Sequence, residues 1–379
     1  MKLRTLSLAL CIAAIAPFTS AKTLTVKTET GNIQVKTIAE GLENAWGMAF
    51  LPDGSMLVTE RPGRMRIVSA DGKVGEPLSG LPKIFAQGQG GLLDVVLAPD
   101  FATSKKIYFS FSEPGEGSES KLNSTAVSFA TLNGNKLENL TRVFSQQPKV
   151  SSSNHYGSRL VWAPDGTLFI TLGERYSEKD KAQTLDNHQG KVVRINADGS
   201  VPKDNPFVKT AGALPEIWSY GHRNMQGAAI NPISKELWTG EHGPQGGDEL
   251  NIDRAAKNYG WPVITYGENY GGGKIGEGTH KAGMEQPIYK WVPSIATAGF
   301  IFYTGDKFPQ WKNNILLTSL REKTFVRLVV DGEKITQEER LLTKEVDARL
   351  RHVVQGPDGL VYLLTDESKG GIYQLSPAK

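Results

Sequence analysis

The chain has 379 residues, 39% of them hydrophobic and 22% charged, with a formal net charge of +3. These values belong to an ordinary globular protein with an extensive core and exclude a disordered or low-complexity chain. So small a charge gives no reason to expect nucleic acid or an anionic membrane surface as a partner.

Residues 1–21 read MKLRTLSLALCIAAIAPFTSA. Lys2 and Arg4 make a positive start, residues 6–16 a short apolar stretch, and Thr19, Ser20 and Ala21 a small-residue cleavage site. This pattern is a secretory signal peptide, too short and too sharply bounded for a membrane span. Cleavage would leave Lys22 first and lower the net charge to +1, because only Lys2 and Arg4 are lost. The single cysteine, Cys11, lies inside this segment, and Leu10 before it is too large for a lipoprotein site. The mature chain would therefore have no disulfide, as befits an exported, periplasmic protein held together by its core.

From there one pattern recurs. An apolar run leads into Pro-Asp-Gly or a near relative, and a second apolar run follows. The copies are WGMAFLPDGSMLVTE (46–60), the segment 91–113 around GLLDVVLAPDF, SRLVWAPDGTLFITLGE (158–174), QGAAINPISKELWTGEHG (226–243), a degraded copy at 298–320, and RHVVQGPDGLVYLLTDE (351–367). Each reads as strand, tight turn, strand, since Pro presets φ while Asp and Gly tolerate what the turn demands. Six widely spaced hairpins predict an all-β chain, a six-bladed β-propeller filling residues 22–379 as one domain. Roughly 55 to 60 residues per blade exceeds the ~40–50 of compact propeller repeats, so long loops are expected.

The loops between the hairpins carry the chemistry. Gly88-Gln89-Gly90-Gly91 suits either a close backbone approach or a tight turn between blades. His155, in the polar loop Asn154-His155-Tyr156-Gly157, is either structural or a general base with Glu174 returning beside it from the same repeat. Arg223 and Asn224 sit in the Gly-flanked loop before the fourth repeat, able to present donors to a carbonyl or carboxylate, or simply solvated. Residues 241–249, EHGPQGGDE, are oxygen-rich and turn-rich, which suits a hard cation such as Ca2+, although the EF-hand spacing is absent. Arg349 and Arg351 lie two apart, so an extended segment would turn both to one side. With Arg321 from the neighbouring blade they would suit a polyanion; singly, each reads as surface charge.

Taken together, GQGGLLDVVLAPDF, NHYGSRL, QGKVVRINADGSVPKDNPF, EIWSYGHRNMQG, EHGPQGGDELN, KNYGWPVITYGENY and the terminal RLRHV with GPDGLVYLLTDE resemble one family. It is that of the soluble, pyrroloquinoline quinone (PQQ)-dependent aldose sugar dehydrogenases, relatives of soluble quinoprotein glucose dehydrogenase. The likeness spans nearly the whole mature chain, and its fold is a six-bladed β-propeller. It implies His155 as general base, oriented by Glu174, where a relative carries Asp. It implies Gln89, Arg223, Asn224, Tyr270, Arg321, Arg349 and Arg351 as PQQ contacts, with Arg223 also stabilising the oxyanion. Gly243 and Pro244 match backbone ligands of the Ca2+ against PQQ; Glu249 and Tyr259 match ligands of a second, structural Ca2+. Met225 stands where relatives often have Pro, and Arg321 where lysine is common.

The implied reaction is oxidation of an aldose at C1 to an aldonolactone, with electrons passed on to an unidentified acceptor, by a monomer or homodimer that neither inserts in a membrane nor binds nucleic acid. Two other readings fit the propeller: a calcium-dependent lactonase, which needs no arginine cluster, and a non-catalytic sugar- or protein-binding propeller.

Overall fold

The computed structural model describes residues 23–378, so the signal peptide lies outside the described residues. Six separate sheets carry the chain. Their first strands are Ala45–Phe50, Leu92–Leu97, Leu160–Trp162, Met225–Ile230, Thr297–Phe302 and Leu350–Gln355. Each first strand touches the next, and the sixth returns to the first, which closes the ring. This is the six-bladed β-propeller that the repeats predicted.

Every repeat supplies the two innermost strands of its blade. The turns work as their residues suggest. In the first, Asp53 accepts the Ser55 N–H at 3.0 Å while Gly54 takes φ 84°. The same arrangement recurs at Asp165 with Thr167 and at Asp358 with Leu360. In the second blade the turn is longer, built on a short helix, Phe101–Ser104. In the fifth a 3-10 turn, Pro309–Trp311, replaces the missing Pro-Asp-Gly.

The second strands Met56–Glu60, Leu168–Leu172, Leu237–Glu241, Ile315–Ser319 and Val361–Thr365 are buried at every position. A blade is covered on both faces by its neighbours, so these strands are buried on both and mostly apolar until their last residues. The core is accordingly divided: six main clusters, one at each joint between adjacent blades. In the joint between the fifth and sixth blades, Trp311 stacks on Phe308 with centroids 4.3 Å apart, beside Leu316, Phe325 and Leu363.

The last blade is composite. Its strands Leu350–Gln355, Val361–Thr365 and Gly370–Pro377 come from the C-terminal end, while Gly31–Leu42 and Thr23–Thr28 come from the beginning. Val35 pairs with Leu375 across this seam. The ends of the chain thus lock the ring shut.

Candidate active site

The second strand of four blades ends on, or within two residues of, a buried carboxylate: Glu60, Glu174, Glu241 and Asp366. Two of these hold a histidine nineteen residues earlier in the chain. Glu174 Oε2 lies 2.8 Å from His155 Nδ1, and Glu241 Oε2 lies 3.0 Å from His222 Nδ1. Successive blades therefore repeat one device, and their surroundings tune it in opposite directions.

His222 Nε2 faces a second acid, Asp253, at 3.2 Å, and its ring stacks on Tyr259 with centroids 4.6 Å apart. Burial works against its charge, but Asp253 and Glu241 outweigh it and raise the pKa to about 9. His222 is an imidazolium that binds two carboxylates together. His155 has no second acid. Burial lowers its pKa, and Arg223 and Arg175 add to that against the pull of Glu174. Its ring is neutral at pH 7. A carboxylate only accepts, so Nδ1 carries the proton, and the lone pair stands on Nε2. Among the described residues nothing hydrogen-bonds Nε2.

The backbone around His155 is tightly specified. His155 takes φ 51°, and its N–H donates to Gln89 Oε1 at 2.9 Å. A Cβ on Gly173 would sit 2.0 Å from the His155 carbonyl oxygen, so only glycine fits there. Arg175 and Tyr176, just after Glu174, both take positive φ, 67° and 64°. Such conformations cost about 1–3 kcal/mol each and cluster at functional sites.

Arg223, buried, donates from Nη1 to the carbonyls of His242 at 3.0 Å and Gly243 at 2.7 Å. Its backbone N–H goes to Glu241, and its guanidinium lies 5.3 Å from the Trp261 ring. Asn224 Oδ1 accepts the Gly157 N–H at 3.0 Å, tying the His155 loop to the next blade.

A cavity of about 610 Å3 opens beside these residues, lined by His242, Gly243, Pro244, Tyr270 and Arg321 among others. A second, of about 320 Å3, shares Pro244 and Tyr270 with it and adds Glu174, Tyr176, Arg223 and Trp261. Tyr270 is exposed on the glycine-rich rim. Gln89, Asn224, Arg349 and Arg351 line neither cavity. Arg349 and Arg351 do share a side, because both reach Asp366, Arg351 in direct contact and Arg349 at 3.9 Å. Arg321 lies on the wall of the larger of these two cavities, next to Leu320, whose carbonyl accepts from Arg349 Nη1 at 3.4 Å. The sequence reading missed Arg61, a further guanidinium 3.8 Å from Asp366. Burial opposes ionisation of Asp366, yet Arg351, Asn44 and Arg61 hold its pKa down to about 2.

The residues fit the groups that the resemblance implies. The Nε atoms of Arg223 and Arg351 and His242 Nε2 are buried without a hydrogen-bond partner. Buried polar atoms are nearly always satisfied, so this constellation suits a polar occupant. Three arginines around one Asp366 leave positive charge for a polycarboxylate. Glu241, Glu249 and Tyr259 line one small cavity, and Glu241 stands opposite Glu249 in adjacent strands. Burial, then the nearby Glu241, raises the Glu249 pKa to about 8. Facing carboxylates with carbonyls around them are the donor set of a hard cation.

His222 and Arg175 were also overlooked. His222 had a signal: its nineteen-residue spacing to Glu241 copies that of His155 to Glu174. Arg175 had none beyond its place next to Glu174.

Residues 42–374 match the family model described as glucose/sorbosone dehydrogenase. The chain is 48% identical to aldose sugar dehydrogenase YliI of Escherichia coli over 350 residues, covering 91% of this chain and 93% of that one. The crystal structure of the soluble E. coli aldose sugar dehydrogenase in its apo form superimposes with TM-score 0.88 at 47% identity, over 91% of this chain and all of that one. The PQQ-bound aldose sugar dehydrogenase of Streptomyces coelicolor gives TM-score 0.75 at 26% identity, over 95% and 99%. With the propeller, the histidine–carboxylate pair and this match in hand, the chain belongs to the glucose/sorbosone dehydrogenase family.

Proposed function

We propose that this protein is a PQQ- and Ca2+-dependent oxidoreductase that converts aldose sugars to aldonolactones at C1. The observation that carries the reading is His155, neutral, oriented by Glu174 at 2.8 Å, with Nε2 left free. When bound, PQQ supplies the hydride acceptor and Ca2+ polarises its reactive carbonyl.

The protein's residues divide the remaining work. His155 Nε2 takes the proton of the anomeric hydroxyl as hydride leaves C1. Glu174 keeps the ring in the correct tautomer and stabilises the imidazolium that forms. Arg223 brings a buried cation to where negative charge develops. Gln89, Arg223, Asn224, Tyr270, Arg321, Arg349 and Arg351 hold PQQ. The carbonyls of Gly243 and Pro244 hold the catalytic Ca2+, and Glu249 with the Tyr259 carbonyl holds a structural one. Tyr176, Trp261 and Tyr270 on the smaller cavity offer aromatic faces to a sugar ring. The arginine cluster and the names of the relatives support PQQ over lactone hydrolysis. The setting is the periplasm, and the electrons go to a separate acceptor.

The test is reconstitution. The apoprotein receives PQQ, Ca2+, an aldose and an electron-accepting dye. Dye reduction that needs both PQQ and Ca2+ is the expected result. Lactone hydrolysis without PQQ, or sugar binding without turnover, would overturn the proposal in favour of a lactonase or a binding propeller respectively.

A further inference from the structure

Arg175 is fully buried, and among the described residues no carboxylate lies within 4.0 Å of its guanidinium. Its hydrogen bonds go to neutral acceptors. Nε donates to the Asn154 carbonyl at 3.0 Å, and Nη1 to the Asn123 carbonyl at 3.0 Å. Nη2 donates to Asn123 Oδ1 at 2.7 Å and to the Ser152 carbonyl. The guanidinium lies 3.9 Å from the ring centroid of Tyr156, whose hydroxyl also donates to Asn123 Oδ1, at 2.7 Å. Two of the four acceptors thus belong to residues 152–154, the loop that ends in His155, and the stacked ring belongs to the residue after it.

A buried cation with no carboxylate in direct contact is costly, and a neutral side chain of similar shape would avoid that cost. We propose that Arg175 is a positioning residue for His155: its fork fixes the main chain on either side of the histidine, and its cation stands beneath the loop that carries the ring.

Neighbouring residues would then act on one histidine from two directions. Glu174 grips the ring, and Arg175 grips the backbone that carries it. The two consecutive positive-φ residues at 175 and 176 are what allow Arg175 to turn back beneath the loop. The charged and titratable groups facing His155 are Glu174 and Arg175 from its own blade, Arg223 and His242 from the next, and Tyr176, edge-on at 5.3 Å. Of these, Arg223 and Arg175 are the cations. Burial lowers the Arg175 pKa to about 10, which still leaves it charged at neutral pH.

The inference rests on His155 being the base, and the experiment separates the two. Three variants are compared: Arg175→Lys, which keeps the charge without the fork; Arg175→Gln, which loses both; and Asn123→Asp, which keeps the fork and neutralises the charge. Asn123 Nδ2 has no hydrogen-bond partner, so Asn123→Asp forfeits no contact. The His155 pKa is read directly, by NMR of the apoprotein with labelled histidine, and the acid limb of kcat/KM for an aldose is read on reconstituted protein. Arg175→Gln and Asn123→Asp are expected to raise the His155 pKa and carry the acid limb with it. Arg175→Lys should leave the pKa in place and lower kcat about tenfold without changing PQQ affinity. An unmoved His155 pKa in both neutralising variants overturns the inference, as does an Arg175→Lys protein with normal turnover. The NMR titration is repeated on the unmodified reconstituted protein, and a limb that fails to track that pKa would instead overturn His155 as base. Should Arg175→Gln not fold, Asn123→Asp decides alone.

Discussion

Glu241 and Glu249 stand directly opposite each other on adjacent strands of the fourth blade, with His222 locked to the first of them. His222 already serves Glu241 and Asp253, and burial, then the nearby Glu241, raises the Glu249 pKa to about 8. The strand pairing therefore stores a demand for positive charge.

A divalent ion meeting that demand must displace the proton Glu249 holds near neutral pH. Calcium binding should release close to one proton at pH 7, visible in calorimetry repeated in buffers of different ionisation enthalpy. It should also stabilise the fold, by about 2.7 kcal/mol at a hundredfold excess over Kd. Glu249→Gln should abolish the proton release and flatten the dependence of Tm on calcium. A melting temperature indifferent to calcium in both proteins would count against this site.

His222 makes the opposite pH prediction. Its folded pKa, about 9, lies above the ordinary 6.5. Its stabilising contribution is then fully present below pH 6.5 and declines as pH rises through about 9, with a magnitude of about 3 kcal/mol. Urea unfolding of calcium-free protein should show His222→Gln most destabilising near pH 6, with the gap narrowing toward pH 10. A gap independent of pH would mean that His222 contributes through packing alone.

Arg351 has two duties in this structure. It pairs with Asp366 and with Gln226 Oε1, and its Nε remains unpartnered. Arg351→Ala should weaken PQQ binding by about 1.5–3 kcal/mol, the worth of one charge-assisted hydrogen bond, with part of the turnover recovered at high PQQ. Because Asp366 would lose its nearest cation, the same variant should be less stable near neutral pH, with the gap to the unmodified protein closing in acid. Asp366 is depressed to about 2, so its contribution is present above about pH 4 and lost as pH falls toward 2. Acid titrations of both proteins, followed by circular dichroism, check this.

What could be read beforehand follows from where the information resides. The hairpins were legible because Asp53, Gly54 and their counterparts solve a local problem with local residues. The pair His155 and Glu174 was legible for the same reason, since both lie in one repeat. The closure of the ring was not, because Gly31–Leu42 has no Pro-Asp-Gly turn and finds its partner, Gly370–Pro377, at the far end of the chain. Arg61 was missed for a related reason. It belongs to the first blade by sequence but meets Asp366 of the sixth, a contact no local periodicity reports. A propeller gathers such residues by geometry alone: burial and Glu174 act on His155 from within its own repeat, and Arg223 reaches it from the next blade.

The sharpest prediction concerns the division between chemistry and cofactor capture. His155→Ala should bind PQQ with normal affinity and an unchanged cofactor spectrum, because none of the proposed PQQ contacts is removed. It should lose turnover by about 10²–10⁴-fold, the usual worth of a positioned general base. Glu174→Gln should fall between the two proteins. Its amide can still accept from Nδ1 but no longer stabilises the imidazolium, so kcat should drop while KM for the sugar holds. The pH dependence carries the sign. His155 acts as a base only when neutral, and burial with Arg223 and Arg175 keeps its pKa below 6.5, so turnover should be sustained at neutral pH and fall as pH drops through that lowered value. In Glu174→Gln the pull of the carboxylate toward the charged ring is gone, and the acid limb should move lower still. Stopped-flow reduction of the loaded protein by an aldose, across pH, measures all of this in one experiment. Normal turnover by PQQ-saturated His155→Ala would remove the histidine from the mechanism while leaving the propeller and its cofactor site intact.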